Sequence, residues 1–217
     1  MKFTKYLFFC IVFVHSFSHD AQNLLIRVFS QNKIQSIELE VIQGSYQVQS
    51  TEGFLTEVNE GQSLKLQVNS SNQIHVAKNG AFIGVYDTLF LFQSSHIDYI
   101  RLSPELLNEN HVQSRQYEGD FEFSAFHGYI QVLNSIFVES YLEGVLASEA
   151  GVRCEKEYYK IQAIISRTFA RNNLNKHIDQ GFNLCDAVHC QAYYGNYQGE
   201  FKGINHGVKE THGLVLV

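Results

Sequence analysis

The sequence predicts an α+β protein, β-rich over its N-terminal half and mixed helix and sheet over the rest. Two observations carry this. Apolar and polar residues alternate with period two through to about Leu102, and helical periodicity begins near Glu139. A polar stretch over residues 103–115, with Pro104 near its start, separates the two patterns and marks the candidate boundary. With 45% hydrophobic and 18% charged residues, the 217-residue chain can bury an ordinary core, so disorder is not the default. Seventeen Phe and 12 Tyr against one Pro suit aromatic sheet faces better than a Pro-rich linker.

Residues 1–18 read as a cleaved signal peptide. Lys2 and Lys5 precede an apolar run over 7–14, and Ser16-Phe17-Ser18 supplies small residues for cleavage. The run is far shorter than the roughly 20 residues of a membrane-spanning helix. The expectation is an exported product of the periplasm or cell envelope, with no transmembrane segment after cleavage. The formal charge of −6 becomes more negative when Lys2 and Lys5 leave, which excludes the basic footprint of a nucleic-acid binder. Cys10 leaves too. Cys154, Cys185 and Cys190 remain, an odd number that cannot all pair within one chain.

Residues 19–115 form the expected β-rich accessory region. Ile37, Leu39 and Val41 alternate with Glu38 and Glu40, and Leu64, Leu66 and Val68 with Lys65 and Gln67. Asn79-Gly80, between the apolar residues of 74–78 and 82–85, signals a hairpin. Residues 116–217 then change character. Strands are expected over 121–126 and 129–133, a tight turn at Asn134-Ser135, and a returning strand over 136–138. A first helix over about 139–146 carries Tyr141, Leu142, Val145 and Leu146 on one face, while Glu139 and Glu143 can sit on its solvated face. A second helix over about 155–172 carries a stripe of Tyr158, Ile161, Ile165 and Phe169, widened by Ala163, Ile164 and Ala170. So broad an apolar surface predicts burial on most sides and draws interest to Gln162, Ser166, Arg167 and Thr168 among it.

Three groups of residues could carry chemistry. Arg167, within the second helix, either pairs with a carboxylate to brace the fold or faces a cleft and holds a ligand. Glu149, in Ala147-Ser148-Glu149-Ala150-Gly151 between the helices, is either an exposed helix-end residue or a cleft-lining carboxylate. Cys185, His189 and Cys190, with His177 eight residues before Cys185, offer the donor set that tetrahedral zinc prefers. A Cys185–Cys190 disulfide is the competing account in an oxidising compartment.

Beyond these residue-level readings, FVESYLEGVLASEA from Phe137, EYYKIQAIISRTFARNN from Glu157 and NLCDAVHCQAYYG from Asn183 follow one another in an order and spacing that resembles the SpoIID/LytB family. The resemblance covers about residues 116–217. It implies a lytic transglycosylase acting on peptidoglycan glycan strands stripped of their stem peptides, or a glycan-binding module that stimulates a cell-wall amidase. It further implies Glu149 as the catalytic acid and Arg167 as an active-site arginine. Cys185, Cys190, His177 and His189 would hold a structural zinc, and Gln191 and Tyr193 would belong to the substrate-binding motif, with Gln162 and Thr168 added from the second helix. Cys154 stands where the family often has a proline-containing connector. Family members usually continue beyond a strand like Gly213-Leu214-Val215-Leu216, so the resemblance implies a domain truncated at its C-terminus.

Overall fold

The chain alternates between two antiparallel sheets before it makes its first helix. The structure is a computed structural model and describes residues 23–106, 112–196 and 202–216. The expected signal peptide over 1–18 lies outside the described residues. In chain order the strands are β1 (Asn23–Val28), β2 (Ile34–Gln43), β3 (Ser45–Ser50), β4 (Gly53–Asn59), β5 (Ser63–Val68) and β6 (Ile74–Lys78). They continue with β7 (Ala81–Tyr86), β8 (Thr88–Gln93), β9 (Tyr99–Leu106), β10 (Arg115–Glu118), β11 (Asp120–Phe126) and β12 (Tyr129–Phe137). Helices α1 (Val138–Glu149) and α2 (Lys156–Asn172) follow, then the two-residue strand β13 (Leu184–Cys185) and helix α3 (Gly203–Glu210). The α+β class is as expected. Among the described residues no helix is long and apolar enough to cross a membrane.

Alternation put the right residues inside. Ile37, Leu39, Val41, Leu64, Leu66, Ile74 and Val76 are fully buried, while Glu38 and Lys65 face solvent. The Asn79-Gly80 hairpin joins β6 to β7, with both residues at positive φ (47° and 81°) as its turn type requires. The turn expected at Asn134-Ser135 does not exist. β12 runs straight through it, and the hairpin from β11 turns at His127-Gly128 instead, again with two positive φ values. Asn134 is wholly buried, and its side-chain amide donates to the carbonyls of Glu118 and Asp120, which removes the cost of burying it. Strand β9 continues past Pro104, which pairs with Ile37. Proline is tolerated there because β10 pairs only with Tyr99–Leu102, leaving the outer edge at Pro104 without a ladder partner in β10.

The polar stretch over 103–115 does not divide the chain into two cores. One sheet has the order β13-β1-β12-β11-β8-β3-β4 and the other β10-β9-β2-β5-β6-β7. The first therefore interleaves strands from both sides of residue 115, with β1 antiparallel to β12 and parallel to β13. Buried side chains from β1 to α3 form one hydrophobic cluster.

Helix α1 buries the face the sequence assigned to it, Tyr141, Leu142, Val145 and Leu146. Helix α2 does the opposite. Tyr158, Ile161 and Ile165 face solvent, Ile161 at 59% exposure, and the buried face is Tyr159, Ala163, Ser166, Arg167 and Ala170. The reason lies in α3. A Cβ added at Gly207 would come within 2.7 Å of the Tyr159 Cβ, so the two helices approach through small residues and not through an apolar stripe. Residues 214–216 form no strand. They lie along α2, where the Leu216 N–H donates to the Thr168 hydroxyl and the Leu214 carbonyl accepts from Arg167.

Candidate functional site

Helix α1 ends against the extended segment 190–196. Gly144 makes the approach possible: a Cβ there would meet the Gly195 carbonyl at 2.4 Å and the Tyr193 ring at 2.5 Å. Around it, residues three to five apart face the same segment. The Tyr141 hydroxyl donates to the Gln191 side-chain oxygen at 3.2 Å. The Ser148 hydroxyl accepts from the Tyr194 N–H at 3.1 Å, and Glu149 Oε1 accepts from the Ala192 N–H at 3.0 Å. Glu149 is the last residue of α1 and is exposed, so it is not held against apolar helices. Among the described residues its Oε2 has no hydrogen-bond partner.

The Cys/His loop runs directly into this segment at Cys190. Ligand atoms of His177, Cys185, His189 and Cys190 all lie within 4.8 Å of one another. His177 Nε2 is 3.3 Å from Cys190 Sγ, and Cys185 Sγ is 3.3 Å from His189 Nε2. A tetrahedral zinc with Zn–S of about 2.3 Å and Zn–N of about 2.0 Å separates such ligands by about 3.5 Å, so the four residues fit one. No disulfide joins Cys185 to Cys190. Burial lowers the His177 pKa, helped by His189, Lys176 and Arg27, which favours the neutral form that ligates metals. Burial raises that of the Cys185 thiol. Tyr141 links the two sides: burial raises its pKa well above the usual value, and Cys190, Glu149 and Cys185 act on it in the same direction.

Asp186, inside the loop, fastens it to the β1–β2 turn and to β10. Its carboxylate accepts from the Phe29 and Ser30 N–H groups, the Ser30 hydroxyl, and Arg115 Nη1 at 2.8 Å. The Arg115 guanidinium lies between the rings of Phe29 and Tyr194, 4.6 and 4.5 Å from their centroids.

Other residues picked out by sequence lie elsewhere. Arg167 makes a bidentate pair with Glu139, at 2.9 and 2.6 Å, and donates to the Leu214 carbonyl at 3.0 Å. Its side chain is 2% exposed and that of Glu139 12%, so Glu139 is not on a solvated face. At 1.5 Å per residue, Glu139 lies about 15 Å along α1 from Glu149. The geometry gives Arg167 the bracing role, at the far end of the helix from Glu149. Gln162 donates to the Tyr158 hydroxyl on the outer face of α2, and Thr168 holds Leu216. Gln191 and Tyr193 reach the segment beside Glu149 but point inward. Tyr193 is fully buried, and its hydroxyl meets Asn134 and Asn196. The exposed ring is Tyr194, which sequence reasoning passed over. Its only signal was the tandem tyrosine, since successive side chains of an extended segment point to opposite sides.

Comparison with known families decides the identity of this half. Residues 127–217 match the family model SpoIID, stage II sporulation protein. This segment is a SpoIID-family domain. The match supports the SpoIID/LytB assignment and a cell-wall-related function. No curated protein and no solved structure matches the chain. The SpoIID domain contains α1 with Glu149, the Cys/His loop, and both partners of the Arg167–Glu139 pair. Its sheet is completed by strands that precede it in the chain, β1, β3, β4, β8 and β11.

Proposed function

We propose that the protein is an exported lytic transglycosylase of peptidoglycan glycan strands, with Glu149 as its single acid–base group. One observation carries the reading: Glu149 is exposed at the end of α1, one oxygen fixed by the Ala192 N–H and the other without a hydrogen-bond partner among the described residues. A lytic transglycosylase needs one such carboxyl group, where an ordinary glycosidase needs a flanking pair. Protonated Glu149 gives its proton to the leaving glycosidic oxygen as the C–O bond breaks. The carboxylate then takes the proton of the muramic acid 6-hydroxyl as that oxygen closes on C1. The products are a strand with a free hydroxyl end and a strand ending in a 1,6-anhydro ring, and no water is consumed. Such acid–base work contributes about 10²- to 10⁴-fold.

Zinc is proposed as a structural ion on His177, Cys185, His189 and Cys190. Four protein ligands leave no open position for chemistry, and the ion would close the loop that carries Asp186 and leads into 191–196.

One observation favours a second reading, glycan binding without cleavage that stimulates a cell-wall amidase. Arg167 is committed to Glu139, so it brings no cation to Glu149. Digestion of peptide-free glycan strands by the zinc-loaded protein, with mass spectrometry of the products, separates the two. Cleavage predicts fragments with 1,6-anhydro ends, lost in a folded Glu149→Gln variant. Intact strands together with amidase stimulation retained by Glu149→Gln would replace the enzyme with the binding module.

A further inference from the structure

An open cavity of about 460 Å³ is lined by Gln113, Ser114, Arg115, Gln116, Tyr194 and Asn196, the last two on the segment whose Ala192 N–H holds Glu149. It is built by two parts of the chain. Gln113 to Gln116 come from the start of β10 and the two residues before it, ahead of the SpoIID match, and Tyr194 and Asn196 from the segment that holds Glu149. The junction is tight. Gly195 has φ +107°, and a Cβ there would lie 2.2 Å from the Gln116 carbonyl, so only glycine allows the contact. That carbonyl also accepts from the Asn196 N–H at 2.9 Å.

The lining specifies a chemical class. Among the described lining residues the one formal charge is Arg115, which is neutralised by Asp186 at 2.8 Å and covered by two aromatic rings. What remains is the part of the Tyr194 ring not taken by Arg115, the residue being 48% exposed, with three side-chain amides and a hydroxyl. Among the described lining residues a phosphate or carboxylate finds no free cation. A neutral ring with a flat apolar face and a rim of hydroxyl and acetamido groups finds both of its complements. Tyr194 follows Ala192, the tether of Glu149, by two residues, about 7 Å of extended chain.

We propose that this cavity is a saccharide subsite for an N-acetylated sugar next to the bond at Glu149, with Tyr194 as its stacking platform and Gln113 as a rim hydrogen-bonding residue. It rests on the reading of the protein as a glycan-strand enzyme or binder, and it makes the strands ahead of the SpoIID match part of substrate recognition.

The test is calorimetric titration of the full chain with a tetramer of N-acetylglucosamine, run beside steady-state cleavage of peptide-free strands. Tyr194→Ala should weaken tetramer binding about tenfold and raise KM similarly with kcat nearly unchanged, since a subsite bound equally in ground and transition states acts on KM. Tyr194→Phe should stay within about twofold, because it keeps the ring. Gln113→Ala, at an exposed position with no packing to lose, should weaken binding about threefold, and it carries the test should Tyr194→Ala fail to fold. Wild-type Kd and KM in folded Tyr194→Ala, or in Gln113→Ala where that variant carries the test, would overturn the subsite while leaving the glycan reading intact. A wild-type protein that neither binds the tetramer nor cuts strands would overturn the glycan reading, and the subsite with it.

Discussion

The Arg167–Glu139 pair shows how far one residue can be read from sequence. A guanidinium within a helix announces a buried partner, yet the partner lies 28 positions earlier and only the fold reveals which carboxylate it is. Breaking a pair this deeply buried leaves a bare charge, so Glu139→Gln should cost about 3–5 kcal/mol in urea unfolding. Arg167→Lys should cost nearly as much, because an ammonium cannot reproduce the bidentate contact. Activity per folded molecule should survive both, as Glu149 stands at the other end of α1. Glu143 offers a pH signature. Burial raises its pKa despite the Asn205 amide at 2.6 Å. A carboxyl raised on folding stabilises the protein at pH below its folded value, and that stability is lost as pH rises through it. Glu143→Gln keeps an oxygen for Asn205 and should therefore raise the melting temperature at neutral pH while leaving it little changed at acid pH. The exposed helix-end position of Glu149 was one of the two readings its sequence allowed; the inversion of Tyr193 and Tyr194 was not legible, because alternation fixes opposite directions without saying which is inward.

At the scale of elements, the strands were legible because each sheet buries one face, which period two records directly. The helix α2 was misread for a physical reason. Its inward face, Tyr159, Ala163, Ser166, Arg167 and Ala170, is small or polar because α3 comes close at Gly207, while Ile161 and Ile165 point outward. An apolar stripe marks a contact only when the contact is made by large residues. The junction of α1 with the segment 190–196 depends on another close approach, at Gly144. Gly144→Ala should push the Gly195 carbonyl and Tyr193 ring away, costing about 1–3 kcal/mol from overpacking. Because the same face tethers Glu149 and Tyr194, its loss of activity should exceed what its thermal unfolding curve accounts for. A variant that is merely less stable, with full activity at low temperature, would show that α1 does not set the position of Glu149.

At the scale of the molecule, the polar stretch over 103–115 looked like a boundary because composition is local and sheet pairing is not. The pairing of β1 with β12 and β13 joins residues more than a hundred positions apart, and no period in the sequence reports it. The Cys/His loop is fixed into that shared structure at β13, through the Asn183 oxygen on the Leu25 N–H, and through Asp186 on Phe29, Ser30 and Arg115. A zinc bound there, as proposed, would stabilise strands on both sides of residue 115. Ligand held at a thousandfold above its Kd contributes about 4 kcal/mol, which for a chain of this size is roughly 10 °C in melting temperature. Chelation should therefore lower the melting point of the whole chain by about that amount in a single transition, the far-ultraviolet signal of the sheets and helices moving together. Replacing both Cys185 and Cys190 with serine should remove the response to chelator. Two separated transitions after chelation, one unmoved, would mean that the β-rich half folds independently of the SpoIID domain despite the strands they share.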